Sequence, residues 1–154
     1  MQNKLINLVA KSARNSKNQL VGAVQPARYL KGLNRQQVGK GKTVLITGAS
    51  SGLGEGMARL FAKLGYNLAI CARRTDRLEQ LKSELTAQYP DIRIEYRALD
   101  VSDYDAIFQV FAAFTEDFGS IERVVVNAGI GDSRRIGQGH FETNRRTADI
   151  NFVA

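Results

Sequence analysis

The sequence predicts a doubly wound α/β fold built on a parallel sheet, and three observations carry that prediction. Short β-branched runs alternate with longer helical ones from residue 43 onward. The first run, Thr43-Val44-Leu45-Ile46-Thr47, is apolar throughout its middle, as suits a strand covered on both faces. A glycine-rich stretch stands between that run and the helix after it. Strands separated by helices of this length need right-handed crossovers, which place helices on both faces of one sheet.

Each element has its own signal. After the glycines, Met57, Leu60, Phe61 and Leu64 recur at helical spacing, and Gly65 is placed to stop that helix. Residues 67–72 read as the second strand. Thr75 opens a helix carrying Leu78, Leu81 and Leu85 and closed by Pro90, and residues 92–99 read as the third strand. Ser102 with Asp105 is a capping signal. Ile107, Val110, Phe111, Phe114 and Phe118 then form a stripe expected to be core, and Gly119 ends the helix. Val124-Val125-Val126 is the fourth strand, and after a loop holding Gly and Arg a last helix begins near Thr143. Four such strands should lie in the order 3-2-1-4, with the valines at an open edge.

Length and composition narrow the class. The 154 residues are 44% hydrophobic and 24% charged, with a single cysteine, Cys71, so no internal disulfide forms and a disulfide-built scaffold is excluded. No apolar run approaches the ~20 residues of a membrane-spanning helix. The net charge of +7 is localised: residues 1–40 hold eight basic side chains and no acid, whereas residues 41–154 hold 14 basic and 15 acidic groups. Residues 1–40 are therefore read as a basic N-terminal extension of a domain spanning 41–154. With Tyr29 its only aromatic, it lacks the stacking groups of a nucleic-acid surface, and no nucleic-acid partner is expected. It is read as a solvated leader, with contact to a membrane surface or an acidic partner as the alternative. Its apolar segment is too short for a secretory signal. Its lack of acids is compatible with organelle targeting, and a cytoplasmic protein is favoured.

The chemistry centres on Thr47-Gly48-Ala49-Ser50-Ser51-Gly52-Leu53-Gly54. Gly48 permits a tight turn out of the strand, Gly52 lets backbone amides approach a pyrophosphate, and Gly54 lets the helix pack closely on the sheet. The helix start supplies free N–H groups and a positive dipole end for phosphate, so the loop reads as a dinucleotide site with Ser50, Ser51 and Leu53 along it. The spacing is G-x-x-x-G-x-G, not the commoner G-x-G-x-x-G. Upstream, Gly41-Lys42-Thr43 imitates the end of a P-loop, but Gln36 stands where its first glycine belongs and the triplet precedes its strand. An NTPase is rejected. Nineteen residues beyond Gly54, where an acid would hold the 2′-hydroxyl of NAD, stand Arg73 and Arg74. NADP is therefore expected over NAD, with Arg73 meeting the 2′-phosphate and Ser50 donating to it.

Three further landmarks follow in order: Leu99-Asp100-Val101 after the third strand, Asn127-Ala128-Gly129 after the fourth, and Asn151 within Ile150-Asn151-Phe152-Val153-Ala154. With the glycine loop, residues 41–154 resemble the short-chain dehydrogenase/reductase family, whose domain is a Rossmann fold. The resemblance implies that Asp100 bonds the adenine amino group and Val101 packs beside the ring. It implies that Asn127, Ala128 and Gly129 stabilise the sheet centre and line the ribose side. Asn151 would be the helix asparagine of the catalytic tetrad, helping to hold a water in the proton relay. The family's remaining groups, a serine and a Tyr-x-x-x-Lys pair, follow that asparagine; no tyrosine in these 154 residues has a lysine four positions on.

The expectation is thus the N-terminal part of such a domain, truncated after about four strands and inactive alone. Its parent would be an NADP(H)-dependent oxidoreductase interconverting a small carbonyl and an alcohol, and a homo-oligomer. A non-catalytic dinucleotide-binding or regulatory module is the alternative, and a methyltransferase a weaker one that Arg73 opposes. His140, the only histidine, has no ligand partners at metal spacing, so no metal site is expected. Cys71 is read as a small buried hydrophobe.

Overall fold

The computed structural model describes residues 38–131 and 138–153. Residues 1–37, most of the basic extension, and residues 132–137 of the loop after the fourth strand lie outside that description. The elements run β1 (Thr43–Thr47), α1 (Gly52–Lys63), β2 (Asn67–Ala72), α2 (Thr75–Gln88), β3 (Ile94–Ala98), α3 (Tyr104–Phe118), β4 (Arg123–Val125) and α4 (Phe141–Ala148), the last continued by a π-helical turn at Asp149–Val153. The four strands form one parallel sheet in the order β3-β2-β1-β4. This is the expected order. β1 is the hub, with Thr47 level with Cys71 of β2 and Ile46 level with Val125 of β4.

Alternation along β1 and β2 divides the core into two layers. Val44, Ile46, Leu68 and Ile70 face α1 and α2, where they bury Ala58, Ala62, Leu78, Leu81 and Leu85. Leu45, Ala69 and Cys71 face the other way and pack on Phe114 of α3. Every residue of β1 is buried, as a strand covered on both faces requires. The domain begins before residue 41. Val38 packs against the first layer, Gly39 donates to the Leu64 carbonyl at 2.9 Å, and a Cβ on Gly39 would stand 2.1 Å from the Tyr66 ring.

Helix α1 forms where the spacing placed it, with Gly54, Ala58 and Ala62, small residues four apart, buried against the sheet; Met57, Phe61 and Leu64 pack half-buried on the same core, and Leu60 is 55% exposed. Three expectations are corrected. The cap of α3 is Asp103, whose carboxylate accepts from the Ala106 amide at 3.1 Å; the Ser102 hydroxyl is committed to Asp100. On α3 only Phe114 is fully buried. Ile107, Val110 and Phe118 are half-buried and Phe111 is 44% exposed, because among the described residues no further layer closes over it past β4. Finally, β3 and β4 pair over 94–98 and 123–125, and α4 begins at Phe141.

The two sheet edges differ in chemistry. Along β3, Glu95 pairs with Lys82 at 2.8 Å and Arg97 with Asp117 at 2.6 Å, with the Arg97 guanidinium 4.5 Å from the Phe114 ring centre. Charge on an edge opposes pairing with another chain. At β4, Val124 and, just past the strand, Val126 are exposed instead, beside an apolar groove of about 210 Å³ lined by Leu45, Val110 and Phe111 among others.

Candidate dinucleotide site

The strand order reverses at β1, since β2 and β3 lie to one side and β4 to the other. Ligands in open parallel sheets bind at the carboxyl ends of the strands at such a switch point. A cleft of about 440 Å³ opens there, lined by the ends of all four strands and by Ile150.

Its floor is set by Thr47. The Thr47 hydroxyl accepts from the amides of Asn127 and Ala128, both at 3.0 Å, tying the end of β4 to the end of β1. Asn127 answers with its side-chain amide, donating to the Thr47 carbonyl at 3.1 Å and to that of Gly48 at 3.4 Å. The chain then turns through Gly48 with φ +68°, a left-handed conformation that favours glycine, and a Cβ there would stand 2.8 Å from the Ala128 Cα. Gly54 is needed for space: a Cβ on it would stand 2.3 Å from the Gly48 carbonyl oxygen. Gly52, with φ +59°, faces open space.

These glycines bring the start of α1 to the cleft. Ser51 is its N-cap residue, yet its side chain makes no capping bond. The first-turn amides therefore keep donors for a ligand, and anions are favoured at such an end. The Ser51 hydroxyl instead takes a hydrogen bond from Arg74 Nη2 at 2.7 Å, and Ser50 takes another at 3.1 Å. Arg73 turns the other way, with Nη1 4.0 Å from Asp100 Oδ2. Asp100 is anchored through Oδ1, which accepts from the Ser102 hydroxyl at 2.7 Å and amide at 3.1 Å. The Ser102 bonds, with the Arg73 charge beside them, hold the Asp100 carboxyl below its usual range.

The cleft brings together Gly48, Ser50, Ser51, Leu53, Arg73, Arg74, Asp100, Val101, Asn127, Ala128 and Gly129 as wall residues. Gly52 and Gly54 act on the backbone that shapes it. Asn151 is not one of the wall residues; it lies exposed beside Gly129 and Ile130. Its Oδ1 accepts from the Ile130 amide at 2.9 Å and its Nδ2 donates to the Ile130 carbonyl at 2.8 Å, so the side chain fastens the π-helical turn to the segment after β4. Thr47, Cys71, Ala72, Leu99, Ile130 and Ile150 also line the cleft without having been singled out for it. Of these only Thr47 carries a readable signal, a hydroxyl on the last residue of an apolar strand before glycine. Burial pushes the Cys71 thiol up to about 12. Among the described residues no cluster of His, Cys, Asp or Glu could hold a metal ion, and no helix is long and apolar enough to cross a membrane.

Comparison with known proteins follows the same lines. The model of the short chain dehydrogenase family matches residues 42–154. An uncharacterised oxidoreductase of Mycobacterium tuberculosis is 52% identical over 125 residues, covering 81% of this chain and 47% of the relative. The alcohol dehydrogenase of the archaeon Thermococcus sibiricus, solved in complex with 5-hydroxy-NADP, superposes with a TM-score of 0.68 at 37% identity, over 71% of this chain and 46% of that one. L-sorbose reductase of Gluconobacter frateurii, solved with NADPH and L-sorbose, gives 0.64 at 30% identity, over 71% and 41%. The chain thus spans about half the length of the relatives it matches. With its glycine turn, its strand order and the landmarks after β3 and β4 in place, the chain belongs to the short-chain dehydrogenase/reductase family.

Proposed function

We propose that the whole protein is an NADP(H)-dependent oxidoreductase that interconverts a carbonyl and an alcohol, and that residues 42–154 supply its cofactor half. The observation that carries this reading is the convergence of Arg74, Ser50 and Ser51 beside the uncapped start of α1, with Arg73 next in the chain. That arrangement offers backbone amides to a pyrophosphate and charged donors to a 2′-phosphate, and no acid occupies the end of β2. Two structural neighbours were solved with NADP-type cofactors, which supports the same choice.

When bound, the nicotinamide supplies or accepts the hydride. The residues described here bind and orient. The α1 amides and Ser51 would hold the pyrophosphate, Asp100 and Val101 the adenine, and Asn127 to Gly129 the ribose side. Asn151 is a positioning residue in this reading, because both polar atoms of its amide are engaged by Ile130. The side chain that moves the proton at the carbonyl oxygen is not among these 154 residues, which hold no Tyr-x-x-x-Lys. The test is steady-state reduction of a panel of aldehydes and ketones by the full-length protein with NADPH and with NADH. NADPH-dependent turnover is expected for at least one carbonyl; turnover with NADH alone, or with neither, overturns the proposal.

A further inference from the structure

We infer that Arg59 is a positioning residue for the cofactor: it draws the Glu55 carboxylate along α1 and neutralises it, so that an acid in the first turn does not repel the pyrophosphate. This rests on the dinucleotide reading of the cleft and adds residues that do not line it.

The start of α1 carries a conflict. Its uncapped amides and dipole favour an anion, yet Glu55, next after Gly54, lies in the same turn. A carboxylate there suits the helix by itself, because it answers the dipole. Against a pyrophosphate held by the amides, the same carboxylate is a like charge and weakens binding.

Arg59 answers this from one turn further along. Its Nε and Nη2 both donate to Glu55 Oε1, at 3.0 and 2.8 Å, which aims the acid toward residue 59 and cancels its charge. Nη2 also donates to Glu84 Oε2 of α2 at 2.7 Å, while Gln80 Nε2 donates to the other Glu84 oxygen at 3.3 Å. The guanidinium is thus fixed from both sides, and Glu84 first and Glu55 second hold it above the usual arginine range. The three groups keep one net negative charge. Glu84, which brings it, stands on α2 and not at the start of α1.

The experiment titrates the full-length protein with NADPH and NADH, both of which carry the pyrophosphate. Wild type is compared with R59Q, E55Q, E84Q and the E55Q/R59Q double variant. All three side chains are partly exposed, and a cooperative melt verifies that each variant folds. R59Q is expected to weaken both cofactors by the same factor, about threefold to fivefold at low salt. That loss should shrink to within about twofold at 1 M salt, where the Debye length is about 3 Å. E55Q alone should stay within about twofold of wild type, and adding it to R59Q should restore wild-type affinity to within about twofold, a non-additive pair. E84Q breaks the bridge between α1 and α2 but leaves Glu55 covered, so it too should stay within about twofold. R59Q within twofold of wild type, or a double variant as weak as R59Q, overturns the inference. E84Q as weak as R59Q also overturns it and assigns Arg59 to helix packing alone. Wild-type protein that binds neither cofactor overturns the dinucleotide reading, and this inference with it.

Discussion

Replacing Thr47 with valine tests the junction on which the cleft is built. Valine keeps the shape and β-propensity of threonine but removes the oxygen that accepts from the amides of Asn127 and Ala128. Thr47 is 9% exposed, and the two amides are half-buried, so water replaces the lost acceptor poorly. An unsatisfied buried donor costs about 1–3 kcal/mol, so two partly buried ones should cost about 2–4 kcal/mol together. T47S is the control: it keeps the oxygen and loses one methyl, worth about 0.8 kcal/mol. Denaturant unfolding of the full-length protein reads both variants, with an unchanged m-value showing that the transition is comparable. A T47V variant within about 0.5 kcal/mol of wild type, or a T47S variant equally damaged, would refute the role given to this hydroxyl.

Three other outcomes follow from the same structure. G54A forces a Cβ to 2.3 Å from the Gly48 carbonyl oxygen and should cost about 3 kcal/mol. G56A, exposed with nothing within 4 Å, should stabilise by about 0.5–1 kcal/mol, and thermal melts of the pair read the contrast. Because the folded Cys71 thiol ionises only near 12, an alkylating reagent at pH 8 should label it much faster in denaturant than in native protein, and equal rates would contradict the burial. The 154-residue chain expressed alone should self-associate through the bare β4 edge, and V124K with V126K should shift it toward monomer in size-exclusion chromatography. A monomeric starting protein would contradict that expectation.

Much of this was legible in the sequence because the strands are short apolar runs with glycines at their ends, and a parallel sheet leaves few orders open. The residues of the glycine loop and the segments after β3 and β4 meet in one cleft because strand ends must meet at a switch point. What escaped was decided by tertiary context. Leu60 fits the helical period as well as Phe61 does, yet α1 approaches the sheet through Gly54, Ala58 and Ala62. Phe111 belongs to the stripe of Phe114 but overlies the open side of β4. Asp103 displaced Ser102 as cap because Asp100 claimed the Ser102 hydroxyl, a contact no spacing rule reveals. The opposite directions of Arg73 and Arg74 likewise depend on what the first and third loops present, Ser50 and Ser51 on one side and Asp100 on the other.

The most direct test of the dinucleotide site is the crystal structure of the full-length protein grown with NADP. The pyrophosphate should lie against the start of α1 at residues 51–54, the 2′-phosphate against Ser50 and the Arg73-Arg74 pair, and the adenine beside Asp100 and Val101. Density for the cofactor elsewhere on the domain, or an adenosine end turned away from the tip of β2, would contradict the account.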